Sequence, residues 1–267
     1  MSSMPLALVL PSGVALLSYL VASTLPERSS AWLRAALVIG WLAHGVAIVV
    51  DVAGVGTGTP GARFGFAPAL STTVWLVLAV YAVESRFVPL DAVRRMLALL
   101  GVFAVALAVF FPGELRPHAG TPWAPLHWLL GIASYGLFGA AVLHAVLLGS
   151  AESRLRSRTA PAAATPMGLP LLRLERLTFW FVGAGFAVLS AALLLGAWTA
   201  NPWRWDHKTV FSLLGWLVFA ALLAGRHAFG WRGRQATRWL YAGAGLLLLA
   251  YVGSRFVLEV VLQRPPG

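Results

Sequence analysis

The chain consists of long apolar runs that alternate with short stretches of polar residues. A helix needs about 17–25 residues to cross the roughly 30 Å hydrocarbon core of a bilayer, and about eight of the runs are that long. The pattern therefore predicts an all-α fold, a polytopic membrane bundle of about eight transmembrane helices. The predicted spans are residues 5–24, 33–51, 67–84, 95–112, 125–149, 178–198, 208–225 and 238–260.

The longest connection between the predicted spans, residues 150–177, contains arginines and a run of alanine and proline. It is interpreted as a cytoplasmic linker between five helices and three. Because the other connections are short, residues 1–267 are expected to form a single membrane domain. The first run is predicted to be a true span and not a signal peptide, because it contains Pro11 and no basic region precedes it.

Composition agrees with a membrane location. Hydrophobic residues make up 59% of the chain and charged residues 11%, and the mean hydropathy is +0.80, whereas a soluble domain has about 25% charged residues. The net charge of +11 comes from short loops beside apolar runs, so it indicates membrane topology and no nucleic-acid partner. Most arginines fall in loops on one side, which predicts that both termini and the loop after the sixth span are periplasmic.

That loop, before the seventh span, gathers aromatic and ionisable residues. Three tryptophans there suit a membrane–water boundary, because the indole ring is apolar and its N–H seeks a polar partner. Asp206 is placed to cap the seventh helix, but a helix start does not require the imidazole of His207. The chain has no cysteine, so another side chain must hold any metal or haem iron. The loop residues are Trp198, Trp203, Arg204, Trp205, Asp206, His207 and Lys208.

This stretch resembles the tryptophan-rich signature of the CcsA/CcmC-type cytochrome c assembly proteins, membrane proteins that handle haem. The W-x-W-D of the signature, its lysine, and a later W, R and G-W all have counterparts at the same offsets, while its proline and glutamate are replaced by His207 and Thr209. Other segments are similar to the YpjD-type inner-membrane proteins of that family. The matching residues are Trp203, Arg204, Trp205, Asp206, Lys208, Trp216, Arg226, Gly230 and Trp231.

The resemblance implies a haem b site at the outer face. His127, at the start of the fifth span, matches a histidine that the family uses as an outer haem ligand. The family's second buried histidine corresponds to Ala224, and no histidine follows the last span, so the set of four ligands is incomplete. The implied iron ligands are therefore His127 and His207. The other implied haem-binding residues are Trp203, Trp205, Asp206, Arg204, Lys208 and Arg255.

Two further residues have alternative interpretations. His44 precedes Asp51 by seven residues and so lies about 10 Å below the surface at about 1.5 Å per residue. It either ligates a haem iron or metal there, or forms a hydrogen bond across the bundle. Arg255 either pairs with Glu259 one turn later, or binds haem propionates together with the other basic residues of the outer face.

These patterns predict a haem-handling protein of the bacterial inner membrane that catalyses no reaction. Its expected partners are the lipid bilayer, haem and other cytochrome c maturation membrane proteins. One alternative is a protein related to ion or metal transport, in which His44, His127 and His207 line a polar path. The other is a membrane scaffold without a cofactor. A haem absorption band would distinguish the first function from both alternatives.

Overall fold

The computed structural model describes residues 6–24, 30–52, 54, 62–84, 91–116, 123–156, 171–200 and 205–262. Within these ranges the backbone is almost entirely helical, with one pair of three-residue strands. The chain divides into two compact units, residues 1–120 and 121–267.

The described residues of the first unit form four helices that pack in a ring. Helix α1 contacts α2 and α4, and α3 contacts the same two helices. Strands β1 and β2 pair antiparallel and connect the segment before α3 to the segment after α4. The elements are α1 (Leu6–Thr24), α2 (Ser30–Val52), β1 (Ala62–Phe64), α3 (Phe66–Glu84), α4 (Asp91–Phe110) and β2 (Glu114–Arg116).

A buried tyrosine fixes how α1 packs against its neighbours. The Tyr19 ring has no solvent exposure and lies between two glycines, Gly40 of α2 and Gly101 of α4. A Cβ would lie 3.0 Å from the ring at Gly40 and 2.9 Å from it at Gly101. The two glycines therefore make the space that the ring fills, as small residues do where membrane helices approach closely.

Helices α2 and α3 are joined by a reciprocal pair of tryptophans. The rings of Trp41 and Trp75 are stacked, with centroids 4.8 Å apart. The indole N–H of Trp41 donates to the Trp75 carbonyl at 3.1 Å, and that of Trp75 donates to the Trp41 carbonyl at 2.9 Å. Both indole donors are thus satisfied inside the bundle, where an unpaired N–H would be costly.

The described residues of the second unit form four helical runs. Helix α5 packs along α6 and α8, and α7 packs against α8 and α6. Helix α8 continues without a break through two π-helical segments, separated by the short turn Ser254–Phe256. The elements are α5 (Ala124–Arg156), α6 (Leu171–Thr199), α7 (His207–Phe229), α8 (Gly233–Leu248), the first π segment (Leu249–Gly253) and the second π segment (Val257–Val261).

Stacked phenylalanines form the centre of the second unit. The rings of Phe138 and Phe219 have centroids 3.9 Å apart and are nearly parallel. Each ring lies against a glycine, where an added Cβ would be 3.0 Å from Phe138 at Gly185 and 2.8 Å from Phe219 at Gly243. Close backbone approach again allows large rings to fill the interior.

The all-helical membrane fold is confirmed. Seven described helices are long and apolar enough to cross a bilayer. The eighth predicted span, 238–260, lies in the continuous helical run from Gly233 to Val261. Helices α5 and α6 both reach into the predicted linker 150–177, since α5 extends to residue 156 and α6 begins at residue 171. These additional turns are rich in leucine, arginine and glutamate, which favour helix, and residues 157–170 lie outside the described ranges.

Candidate functional site

The start of α5 and the end of α6 meet at one end of the second unit. The rings of Trp123, just before α5, and Trp198, in the last turn of α6, have centroids 5.7 Å apart. Trp198 is 72% exposed, which suits an indole at a membrane boundary. His127 lies one turn into α5 from this contact.

His127 is held in a defined orientation by the backbone of α6. The ring is half-buried, and its Nδ1 lies 3.0 Å from the Ala192 carbonyl oxygen. A carbonyl only accepts, so Nδ1 must carry the hydrogen that it donates. In the neutral ring this leaves Nε2 with a free lone pair, the arrangement of most metal-ligating histidines. The structure therefore places His127 in a tautomer that can bind a metal ion or haem iron.

A glycine on α6 provides the space for this imidazole. A Cβ at Gly196 would lie 2.9 Å from His127 Cε1 and 3.3 Å from Nδ1. Contacts under 3.0 Å are too short for a real Cβ. Even the smallest side chain at Gly196 would therefore displace the ring.

Helix α7 begins with the predicted cap. Asp206 has an extended backbone, and its side chain accepts a hydrogen bond from the Thr209 backbone N–H at 2.8 Å. Burial by itself would raise the pKa of Asp206, but the hydrogen bonds from Thr209 and the positive charges of Lys208 and His207 outweigh burial and lower it. The carboxylate is thus charged at neutral pH and complements the helix dipole. His207, the next residue, is exposed.

Lys208 connects the first turn of α7 to two other elements. Its ammonium lies 5.7 Å from the centroid of the Tyr251 ring in the first π segment, within the range of a cation–π contact. Its charge also acts on the ring of His127. The first turn of α7 and the first π segment are therefore neighbours, and Lys208 is close enough to His127 for an electrostatic interaction.

A hydrogen bond from α5 reaches the end of α8, just before the first π segment. Tyr135, two turns below His127 on α5, donates its hydroxyl hydrogen to the backbone carbonyl of Leu247. Single π-helical turns within α-helices occur frequently at functional sites. Here the π-helical turn contains Tyr251, whose ring contacts the ammonium of Lys208.

His44 lies in the first unit, where it links three helices. The ring is 1% exposed. Its Nδ1 is 3.2 Å from the Tyr19 hydroxyl and its Nε2 is 2.7 Å from Ser71 Oγ. Both ring nitrogens are thus engaged, as in the predicted hydrogen bond across the bundle, and ligation of iron would require one of these bonds to break.

A small cavity of about 20 Å³ lies above His44. All four helices of the first unit line it, with Ser12, Ser71 and Asp51 as polar members, and the volume suffices for about one water molecule. Asp51 is 7% exposed, and its carboxylate lies 3.6 Å from the guanidinium of Arg63. Among the described residues, no group of three or more histidines, aspartates or glutamates could hold a metal ion.

The remaining predicted site residues lie in several separate segments of the chain. Trp205 is 71% exposed just before α7. Arg255 lies in the turn between the two π segments, one helical turn after Tyr251. Trp203 and Arg204 lie outside the described residues, as does the side chain of Glu259. The assignment of haem-binding residues thus stays a prediction.

Sequence reasoning missed four residues that shape the surroundings of His127. Tyr251 and Tyr135 were missed because apolar spans often contain tyrosine, and Gly196 because glycine is common in membrane helices. The Ala192 carbonyl carries no side-chain signal at all. The roles of Gly196 and of the Ala192 carbonyl are visible only in the packing of α5 on α6.

Comparison with known proteins gives one family. Residues 64–262 match the family described as cytochrome C assembly protein. This range includes His127 and the whole segment between α6 and the second π segment. No solved structure matches the chain.

Several relatives cover most of the chain. The inner membrane protein YpjD of Escherichia coli K12 is 28% identical over 250 residues, which are 91% of this chain and 93% of that protein. An uncharacterized 28.8 kDa protein of Azospirillum brasilense is 29% identical over 252 residues, 88% of each chain. The cytochrome c biogenesis protein CcsA of Prochlorococcus marinus is 24% identical over 222 residues, 68% of this chain and 69% of that one. The resemblance to CcsA-type and YpjD-type proteins is confirmed.

Proposed function

Because this chain belongs to the cytochrome c assembly protein family, we propose that it is an inner-membrane protein that binds haem b at the outer end of its second unit. The proposal places His127 as an iron ligand and His207 as the second. It rests chiefly on one observation, the hydrogen bond from His127 Nδ1 to the Ala192 carbonyl. That bond leaves Nε2 as the free ligating atom.

The residues around His127 fit such a group. Gly196 leaves room beside the imidazole, and Trp123 and Trp198 supply aromatic surfaces at the same end of the unit. The ammonium of Lys208 acts on the His127 ring and offers positive charge for the propionates. Trp205, Asp206 and Arg255 belong to the proposed site, together with Trp203 and Arg204.

The protein's role in this proposal is to hold and present the cofactor. The α6 carbonyl orients the His127 ring and increases the basicity of Nε2. The Asp206 cap fixes the first turn of α7, and Lys208 is held over Tyr251. Haem, when bound, supplies an iron whose reduction potential depends on these ligands. We propose that haem is passed to partners in cytochrome c maturation and that no reaction is catalysed.

The experiment that tests this function is the absorption spectrum of the full-length protein, purified from cells supplied with haem precursor. A Soret band that co-purifies with the protein, with the pyridine haemochrome spectrum of haem b, is the expected result. A protein that accumulates in the membrane, stays folded and remains colourless after incubation with haem would overturn the proposal. A colourless protein would leave the ion-transport and scaffold alternatives.

A further inference from the structure

We propose that the groove between α6 and α7 binds one anionic phospholipid. The groove lies in the second unit, is open along one side and has a volume of about 400 Å³. Its lining residues are Arg176, Phe179, Trp180, Gly183, Ala184 and Arg226.

Along α6 the lining residues change from charged to aromatic to small, in the order of a lipid's headgroup, interface and acyl chain. Arg176 is one turn into α6, Trp180 follows one turn later, and Gly183 and Ala184 come after another turn. Trp180 is 72% exposed, and exposed indoles favour the level of the headgroups. The groove therefore presents charge at the boundary, an aromatic ring below it and small residues where an acyl chain would run.

Arg226 is held in place on the α7 side of the groove. Its guanidinium carbon lies 3.5 Å from the centroid of the Phe179 ring, and its Nη1 lies 2.8 Å from a carboxylate oxygen of Glu175. Arg232 approaches the same oxygen at 3.8 Å. Glu175 is thus already shared by two arginines, so this end of the groove retains excess positive charge.

Arg176 adds charge that the described part of the protein does not neutralise. It is exposed, and no described acidic residue forms an ion pair with it. Basic pockets between transmembrane helices at the membrane boundary bind the phosphate of anionic lipids. A guanidinium suits this role because its planar donors match phosphate oxygens.

Gly183 keeps the lower part of the groove open. A Cβ added there would meet no atom within 4 Å, so a larger side chain would occupy the groove and not the protein core. The structure thus offers one substitution that removes the headgroup contact, Arg176→Gln, and one that blocks the acyl chain without a change in charge, Gly183→Leu.

The test is native mass spectrometry of the full-length protein, delipidated in detergent and titrated with phosphatidylglycerol. Wild type should bind one phosphatidylglycerol in preference to phosphatidylcholine, and inorganic phosphate alone should not compete. Arg176→Gln should weaken retention about fivefold, the equivalent of about 1 kcal/mol for one arginine at an anionic surface. Gly183→Leu should abolish retention, because the chain would have no space.

Matched controls are available in the same unit. Arg173 is exposed on α6 but does not line the groove, so Arg173→Gln should leave binding unchanged. Gly149 is likewise open on α5, so Gly149→Leu should do the same. If both groove variants retain the lipid at the wild-type level, the proposal is overturned. Equal losses in Arg173→Gln and Arg176→Gln would also overturn it, because they would indicate diffuse charge attraction. Thermal unfolding in phosphatidylcholine confirms that each variant is folded.

Discussion

The imidazole of His127 donates its Nδ1 hydrogen to the backbone carbonyl of Ala192, 3.0 Å away on the neighbouring helix. This contact joins α5 to α6. Because Nδ1 donates to the carbonyl, Nε2 is the ring nitrogen that keeps a lone pair. A side-chain acceptor could be removed by mutation, but a backbone carbonyl cannot. The local packing of α6 therefore controls the orientation and the tautomer of the His127 ring.

The first prediction concerns the space beside that ring. Gly196→Ala should lower haem retention, because its Cβ would lie 2.9 Å from His127 Cε1 and push the imidazole away from the carbonyl. Gly131→Ala is the control, since a Cβ there meets no atom within 4 Å. The ratio of Soret to protein absorbance measures the effect. Equal ratios in the two variants would show that the position of the ring does not matter for retention.

The second prediction concerns Lys208. Lys208→Gln should weaken haem retention up to about fivefold, since an exposed ion pair contributes about 0.2–1 kcal/mol. Lys208→Arg keeps the charge and should retain haem close to the wild-type level. Haem transfer to apomyoglobin measures the loss. If the glutamine variant releases haem no faster than the arginine variant, the ammonium does not bind propionate.

The third prediction concerns the cap of α7. Asp206→Ala should destabilise the first turn by about 0.5–2 kcal/mol, because the Thr209 N–H loses its acceptor. Asp206→Asn keeps the acceptor and should lose less. Amide hydrogen exchange at Thr209 and Val210 measures the opening of this turn. Similar protection in all three proteins would contradict the capping role.

The lowered pKa of Asp206 gives this cap a pH dependence. A carboxylate whose folded pKa lies below its unfolded value stabilises the folded state above the unfolded value, near 3.9. That contribution is lost as the pH falls through the folded pKa. Protection of the Thr209 amide in wild type should therefore fall only below about pH 4, and Asp206→Asn should show no such step.

Hydrophobic run length predicted the helices closely because backbone groups in a bilayer must be satisfied within each segment. The predicted span 208–225 and the observed helix His207–Phe229 begin within one residue, since Asp206 is a recognisable cap. The helix ends were less predictable. The polar residues after residue 149 predicted a loop, but they have good helix propensity and α5 continues to Arg156.

Contacts between distant segments could not be read from the sequence. The acceptor of His127 lies 65 residues away and is a backbone atom. The partners of His44 come from two other helices, and the pairing of β1 with β2 joins segments of only three residues each. The π segments have no clear pattern either, since one inserted residue in a helix leaves the apolar run intact.

The fourth prediction tests the packing of the first unit. Gly101→Ala should lower the free energy of unfolding by about 1–3 kcal/mol, the usual cost of overpacking, because its Cβ would lie 2.9 Å from the buried Tyr19 ring. Gly13→Ala in α1 meets no atom within 4 Å and should be neutral or stabilising. Thermal unfolding in detergent compares them. A Gly101→Ala protein as stable as the control would mean that the Tyr19 ring is not confined.

The most direct test of the central claim is chemical rescue of His127. His127→Gly removes the proposed ligand and leaves a space that free imidazole can fill. We expect a folded protein that loses or shifts its Soret band and regains it when imidazole is added. His144→Gln is the control, because His144 is fully buried and lies on the same helix about 25 Å from His127, too far to share a site with it. A wild-type Soret band in His127→Gly without imidazole would contradict the account.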